Sequence, residues 1–152
     1  MLYLLALFIG IVAGLRAMTA PAAISWAAWL GLLDLSGSWI SFLASPWAVG
    51  ILSVLALAEL VTDQLPSTPS RKVPQQFGGR IVTGAVCGAA LGIASGFWIA
   101  GLVLGVAGAV LGTLGGAAAR QRLAAGFGRD LPAGLVEDAV AILAALAIVW
   151  SL

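Results

Sequence analysis

The sequence predicts an all-α membrane protein, a polytopic bundle of about six transmembrane helices. Three observations carry this expectation. Hydrophobic residues make up 62% of the chain and charged residues only 9%. Mean hydropathy is +1.12. Apolar runs of roughly span length recur along the chain, separated by Pro, Gly and charge. A soluble domain carries about a quarter of its residues as Asp, Glu, Lys and Arg. A chain this poor in charge cannot cover a surface exposed to water, so the lipid bilayer becomes its first partner. Six runs with short connections fill the 152 residues as one domain, 1–152.

The first run extends from about Leu2 to Leu15 and is interrupted at Arg16-Ala17-Met18-Thr19-Ala20-Pro21. It lacks the positive n-region and the cleavage site of a signal peptide, so it reads as a helix of the mature protein. The second resumes near Thr19 and stops at Gly31–Leu33, before Asp34-Leu35-Ser36-Gly37-Ser38. The third begins at Pro46-Trp47 and closes at Asp63–Pro66. The fourth runs from Arg80 to Trp98, and the fifth from about Ile99 to Ala119. A loop over Arg120–Leu131 leads to the sixth, from Pro132 to Leu152. The first two are short for a hydrocarbon core of about 30 Å, which implies tilt, a break or partial re-entry.

Charge orients these spans. Loops after the first, third and fifth helices share one side, and together they hold Arg16, Arg71, Lys72, Arg80, Arg120, Arg122 and Arg129, every basic residue of the chain. The positive-inside rule makes that side cytoplasmic. Tyr3, Trp29, Trp39, Trp47, Trp98 and Trp150 fall at the other ends of the spans, where an interfacial belt belongs. Both termini are then expected to face outward.

Glycine patterning predicts close helix packing. Gly84, Gly88, Gly92 and Gly96 lie on one stripe of the fourth helix. The fifth has Gly101, Gly105, Gly108, Gly112 and Gly116, and the first has Gly10 and Gly14. Such stripes let backbones approach within a monomer or across a homo-oligomer, or let a helix pair move during transport. Cys87 reads as a small buried residue, and with a single Cys and no His the chain offers no disulfide and no Cys/His zinc site. A net charge of +1 does not indicate nucleic acid.

Charge at membrane depth is costly and therefore informative. Arg16, Glu59, Asp63, Arg80, Glu137 and Asp138 lie at or just inside the expected cytoplasmic helix ends. Glu59 and Asp63 are four apart, so both leave one helix face. Arg16 and Arg80 are the natural partners of the four carboxylates. One reading is a set of interfacial salt bridges that fixes helix register. The other is a polar pocket in which two guanidiniums hold a phosphate or carboxylate, helped by helix N-termini at Thr19 and Thr83. Four carboxylates could equally hold a cation or carry protons. The eight candidate binding residues are thus Arg16, Thr19, Glu59, Asp63, Arg80, Thr83, Glu137 and Asp138.

Arg16-Ala17-Met18-Thr19 echoes Arg80-Ile81-Val82-Thr83, each an Arg before a span rich in small residues. Halves 1–66 and 79–152, joined by a Pro/Ser/basic loop 67–78, are compatible with a three-plus-three repeat. In that loop the hydroxyls of Ser67, Thr68 and Ser70 and the pair Arg71-Lys72 could meet anionic headgroups. As an ordered turn, the loop would instead use its basic pair to set topology.

Taken together, Gly14-Leu15-Arg16, Glu59-Leu60-Val61-Thr62-Asp63 with Pro66, the Arg80 segment and Val136-Glu137-Asp138-Ala139 resemble a bacterial membrane family, domain of unknown function 4126. The resemblance spans most of the chain and implies an integral inner-membrane protein in which these charged positions matter. It brings no activity or ligand.

Three functions remain open on the sequence. The first is a small transporter or carrier with a polar site for an anionic small molecule or phospholipid head group. The second is a non-catalytic assembly partner that docks through its glycine stripes. The third is a lipid-modifying enzyme or cation site built on the acidic cluster. No nucleophile–base pair, HExxH or P-loop supports catalysis, and nothing in the sequence calls for a cofactor.

Overall fold

A computed structural model describes residues 1–67 and 69–152, so Thr68 of the loop considered above lies outside the described residues. The chain is helical, with α1 (Leu2–Leu15), α2 (Thr19–Trp29), α3 (Pro46–Thr62), α4 (Pro74–Ala94), α5 (Trp98–Phe127) and α6 (Asp130–Trp150). A 3-10 turn at Ser41–Ala44 precedes α3. Helices α4, α5 and α6 are long and apolar enough to cross a membrane, whereas α1 and α3 are apolar but shorter.

Local chemistry sets the helix ends. Gly31 (φ 79°) and Gly96 (φ 89°) adopt the left-handed conformation just after α2 and α4. At the first, Leu32 N–H returns to Ala27 O and Gly31 N–H to Ala28 O; at the second, Phe97 N–H returns to Gly92 O. These bonds satisfy carbonyls that a helix end leaves open. Ser45 caps α3 by accepting from Ala48 N–H at 3.1 Å, with Pro46 in the first helical position.

Several boundaries differ from the sequence expectation, among them the ends of α2 at Trp29 rather than Gly31–Leu33 and of α4 at Ala94 rather than Trp98, each just before a left-handed glycine. Helix α4 begins at Pro74 rather than Arg80, because a proline with fixed φ suits a first turn. Helix α5 continues to Phe127, so most of the expected loop over Arg120–Leu131 is helical; the stop comes at Gly128, with φ 71°. Helix α6 starts at Asp130 instead of Pro132, which puts Glu137 and Asp138 two turns in.

Successive helices run in alternating directions. Arg16, Asp63, Arg80, Arg120 and Glu137 gather at one end of the bundle through hydrogen bonds and ion pairs. Met1 and Trp150 lie at the other, about 20 Å away by helix rise. That second end carries Tyr3, Trp29, Trp39, Trp47, Trp98 and Trp150, all exposed, and Trp39 meets Trp98 edge to face at 6.2 Å. Asp34 is the one charge in its connections. The Ser36 hydroxyl and backbone N–H donate to Asp34 and hold its carboxyl below the usual range.

The apolar core joins Leu5, Ile9 and Val12 of α1 to Ile24, Leu91 and Ile148, and closes over Leu35 and Ile40 of the α2–α3 connection. Helix α5 lies between α1 and α4, which only glycine permits. A Cβ on Gly108 or Gly112 would strike the α1 backbone at Leu7 or Ile11, and one on Gly101 would strike Gly88 of α4. Gly105 faces both neighbours, since Gly10 and Gly84 each abut its carbonyl. The stripes therefore pack within the monomer, except Gly96, which lies past the end of α4 and packs on nothing. Helix α3 is peripheral: it rests on α2 and the 3-10 turn, and Val49 is its one buried residue.

The packing makes a paired prediction. A methyl at Gly105 would meet the Gly84 carbonyl oxygen, whereas one at Gly115 meets nothing within 4 Å. Gly105→Ala should cost about 1–3 kcal/mol through overpacking. Gly115→Ala should be neutral or gain up to about 1 kcal/mol from helix propensity. Thermal unfolding of the two variants in the same detergent, followed by circular dichroism, checks this; equal melting temperatures would contradict the close approach.

Candidate functional site

The site grows from a break in the backbone. Helix α1 ends at Leu15, Arg16 is extended (φ −139°, ψ 111°), and α2 starts at Thr19. In apolar surroundings the last carbonyls of α1 and the first N–H groups of α2 need partners. Arg80 Nη1 donates to Gly14 O at 2.9 Å and Leu15 O at 2.7 Å. Glu59 accepts from Ala17 N–H at 2.7 Å and Met18 N–H at 2.8 Å. A cation thus meets a helix C-terminus and an anion a helix N-terminus, the favourable sense for both dipoles.

Arg16 fills the centre and is 0% exposed. It pairs with Asp63 and Asp138, and its Nη2 lies 3.6 Å from Glu137. The second oxygen of Asp138 accepts from Gln64 Nε2 at 2.8 Å. Glu137 is gripped by both terminal nitrogens of Arg71, with Arg120 Nη1 at 3.4 Å. Arg120 also forks onto Asp130 at 3.0 and 2.6 Å and donates to Asp63 O at 3.1 Å. Arg80 Nη2 stands 3.8 Å from Glu59 and 3.7 Å from Asp63. Four arginines (Arg16, Arg71, Arg80, Arg120) thus face four carboxylates (Glu59, Asp63, Glu137, Asp138), with Asp130 at the edge.

The network is recessed. Arg80, Arg120 and Glu137 each sit six or seven residues inside the nearest ends of α4, α5 and α6, a depth of about 10 Å. Above them lies a vestibule of about 440 Å³. Asp63, Arg71, Arg80, Arg120 and Asp130 line it, together with apolar Leu65, Pro66, Pro69, Ala117 and Ala124. Arg80 is 2% exposed, and its Nε, although buried, has no hydrogen-bond partner among the described residues.

Of the eight residues singled out in the sequence, Arg16, Glu59, Asp63, Arg80, Glu137 and Asp138 do come together. Thr19 opens α2 beside the break, with its hydroxyl buried and unpartnered among the described residues. Thr83 is different: it lies more than two turns inside α4, where its hydroxyl donates to Arg80 O at 3.1 Å. No helix N-terminus exists there, because Pro74 starts α4 earlier. The echo between Arg16–Thr19 and Arg80–Thr83 likewise has no common local structure, one segment being a break and the other continuous helix.

Arg71, Arg120 and Gln64 belong to the network without having been singled out. Arg71 had been read as half of an exposed basic pair, yet it turns inward to Glu137 while Lys72 stays exposed. Charge balance is the signal that could have found them, since four recessed carboxylates need more than two arginines. Two glycines make the room. A Cβ on Gly116 would lie 3.0 Å from Arg71 Nη1, and one on Gly134 would lie 3.0 Å from Arg120 Nη2. Among the described residues no group of three or more His, Cys, Asp or Glu is placed to hold a metal ion. The carboxylates face guanidiniums and backbone N–H groups instead.

No family model, curated protein or solved structure matches the chain. The site is therefore argued from its own geometry.

Removing one partner from a buried ion network leaves the others uncompensated, typically at about 3–5 kcal/mol. Arg16→Met should destabilise by that order. Arg16→Met combined with Asp138→Asn should cost less than the sum of the two single changes, by about 1–3 kcal/mol. Chemical unfolding in mixed micelles of the four proteins of this cycle measures the coupling. Strict additivity would contradict the pairing.

Proposed function

We propose that the chain is a small multi-pass carrier of a bacterial inner membrane, with its charged end cytoplasmic, both termini outward and its vestibule taking an anionic phosphate or carboxylate group. The observation that carries this reading is the vestibule itself: three guanidiniums outnumber the two carboxylates of its lining, and the buried Arg80 Nε has no partner among the described residues. Arg16 is ion-paired with Asp63, Asp138 and Glu137, lies outside the vestibule lining and serves the bundle. Arg80 is held to backbone carbonyls, stands beyond 3.5 Å from its nearest acids and lines the vestibule, so an oxyanion there would draw on its guanidinium.

In this reading, all six helices belong to the membrane domain. The short α1 and α2 form a hairpin whose turn stops at the network, and α4, α5 and α6 wall the vestibule above it. Irregular backbone at depth is tolerated where it lines a polar cavity, and carriers build sites at such breaks. A three-plus-three relation of the halves would suit a carrier, but the match must lie in helix order, since the Arg-x-x-Thr echo does not supply it.

One observation favours a second reading. Helix α3 packs on little besides α2 and the 3-10 turn, and most of its apolar side chains are exposed, which suits a non-catalytic assembly partner.

The experiment is ligand-dependent stabilisation followed by flux. Inorganic phosphate or succinate should raise the melting temperature of the purified protein in a saturable way. Ala124→Trp, which fills the vestibule without touching an ion pair, should abolish that rise and leave the unliganded melting temperature unchanged. Labelled anion should then enter proteoliposomes holding the parent protein and not the variant. Binding without flux would move the protein to the assembly reading; neither binding nor flux would sink the anion site.

A further inference from the structure

Resting on the anion site proposed above, we infer that the anion arrives on a lipid: the vestibule takes the phosphate headgroup of an anionic amphiphile of the phosphatidic acid class. The first reason is the lining, where Arg71, Arg80 and Arg120, beside Asp63 and Asp130, meet apolar Leu65, Pro66, Pro69, Ala117 and Ala124. A small hydrophilic anion has no use for that apolar half, whereas a headgroup followed by its glycerol and acyl stems does.

The second reason is depth. Helix α5 is 30 residues long, about 45 Å, which matches a bilayer including its headgroup layers. With headgroup layers of about 7 Å on such a span, a network about 10 Å inside the helix end sits just below the lipid phosphates. A phosphate drawn in from the leaflet would sink by about 3 Å to reach Arg120 and Arg80.

The third reason is the rim. Lys72, Arg122 and Arg129 are exposed, and their side chains have no ion-pair partner among the described residues. Arg122 is two residues from Arg120 and so lies on nearly the opposite side of α5, outward where Arg120 is inward. The exposed acid at this end, Asp130, is already taken by Arg120. Between these cations Leu123, Phe127 and Leu131 are also exposed. Exposed cations interleaved with apolar side chains at this end of the bundle suit an interface rich in anionic lipid, from which the vestibule would be filled.

Native mass spectrometry of the full chain released from detergent tests this with four probes: dioleoyl phosphatidic acid, dioleoyl phosphatidylcholine, glycerol 3-phosphate and inorganic phosphate. Phosphatidic acid should be retained at least tenfold more tightly than the other three. Ala124→Trp should remove that preference. Lys72→Gln, Arg122→Gln and Arg129→Gln should weaken it by about fivefold for each charge removed, with the melting temperature and the inorganic phosphate response unchanged. If glycerol 3-phosphate binds as tightly as phosphatidic acid, the anion site stands and the lipid assignment falls. Equal retention of phosphatidylcholine overturns the assignment too, because charge would then not be recognised. Retention that survives Ala124→Trp places the lipid elsewhere and overturns it. If none of the phosphate-bearing probes binds, both readings fall together.

Discussion

The constraint on which this structure depends is the interrupted backbone between α1 and α2. Arg16 is extended and three residues part the two helices inside an apolar bundle, leaving carbonyls at Gly14 and Leu15 and N–H groups at Ala17 and Met18 to be satisfied. Water would satisfy them at a surface, but here side chains must. A guanidinium can serve two carbonyls at once, and a carboxylate two N–H groups, so Arg80 and Glu59 are suited by valence as well as by charge. Each is itself an expensive group to bury, and each therefore requires counter-charges in turn. Arg16, Asp63, Asp138, Glu137 and Arg71 follow as successive answers to that requirement, until the chain of pairings reaches Arg120 and Asp130 near the rim.

The glycines solve a related problem of space. Helix α5 could not lie between α1 and α4 if its facing residues had side chains, because the neighbouring carbonyl oxygens already occupy the Cβ positions. Close approach also delivers dispersion contacts that lipid does not compete away as it would a hydrophobic driving force. The same device recurs with side chains in place of backbone, at Gly116 beside Leu15 and Arg71 and at Gly134 beside Gln64 and Arg120. Glycine thus both draws the helices together and opens the channels through which arginines reach inward.

How much of this could be read in advance follows from range. Helix existence was legible because apolar runs and breakers are local, and Leu2–Leu15 and the starts at Thr19 and Pro46 agree with the structure. The ends of α4, α5 and α6 were not, because charged and polar residues continue these helices beyond the apolar window: Gln75, Gln76 and Arg80 extend α4, and Arg120, Gln121 and Arg122 extend α5. Hydropathy marks where lipid could be, and the hydrogen-bonded helix outruns it. The six core members of the network were legible because charge in an apolar segment is conspicuous. Arg71 was hidden because it looks like ordinary loop charge, and only the fold turns it toward Glu137.

The arrangement also separates two jobs that the sequence left superimposed. Arg16 lies away from the vestibule among Asp63, Asp138 and Glu137, and holds the bundle. Arg80 lines the open volume while keeping its grip on the α1 carbonyls. That double attachment has a mechanical consequence. An oxyanion drawing on the Arg80 guanidinium would compete with Gly14 O and Leu15 O for the same cation, and so would loosen the end of α1 as it binds. On the proposed reading, binding at the vestibule and the stability of the helix break would be coupled through a single side chain. This coupling is what a carrier needs if its site is to change with occupancy.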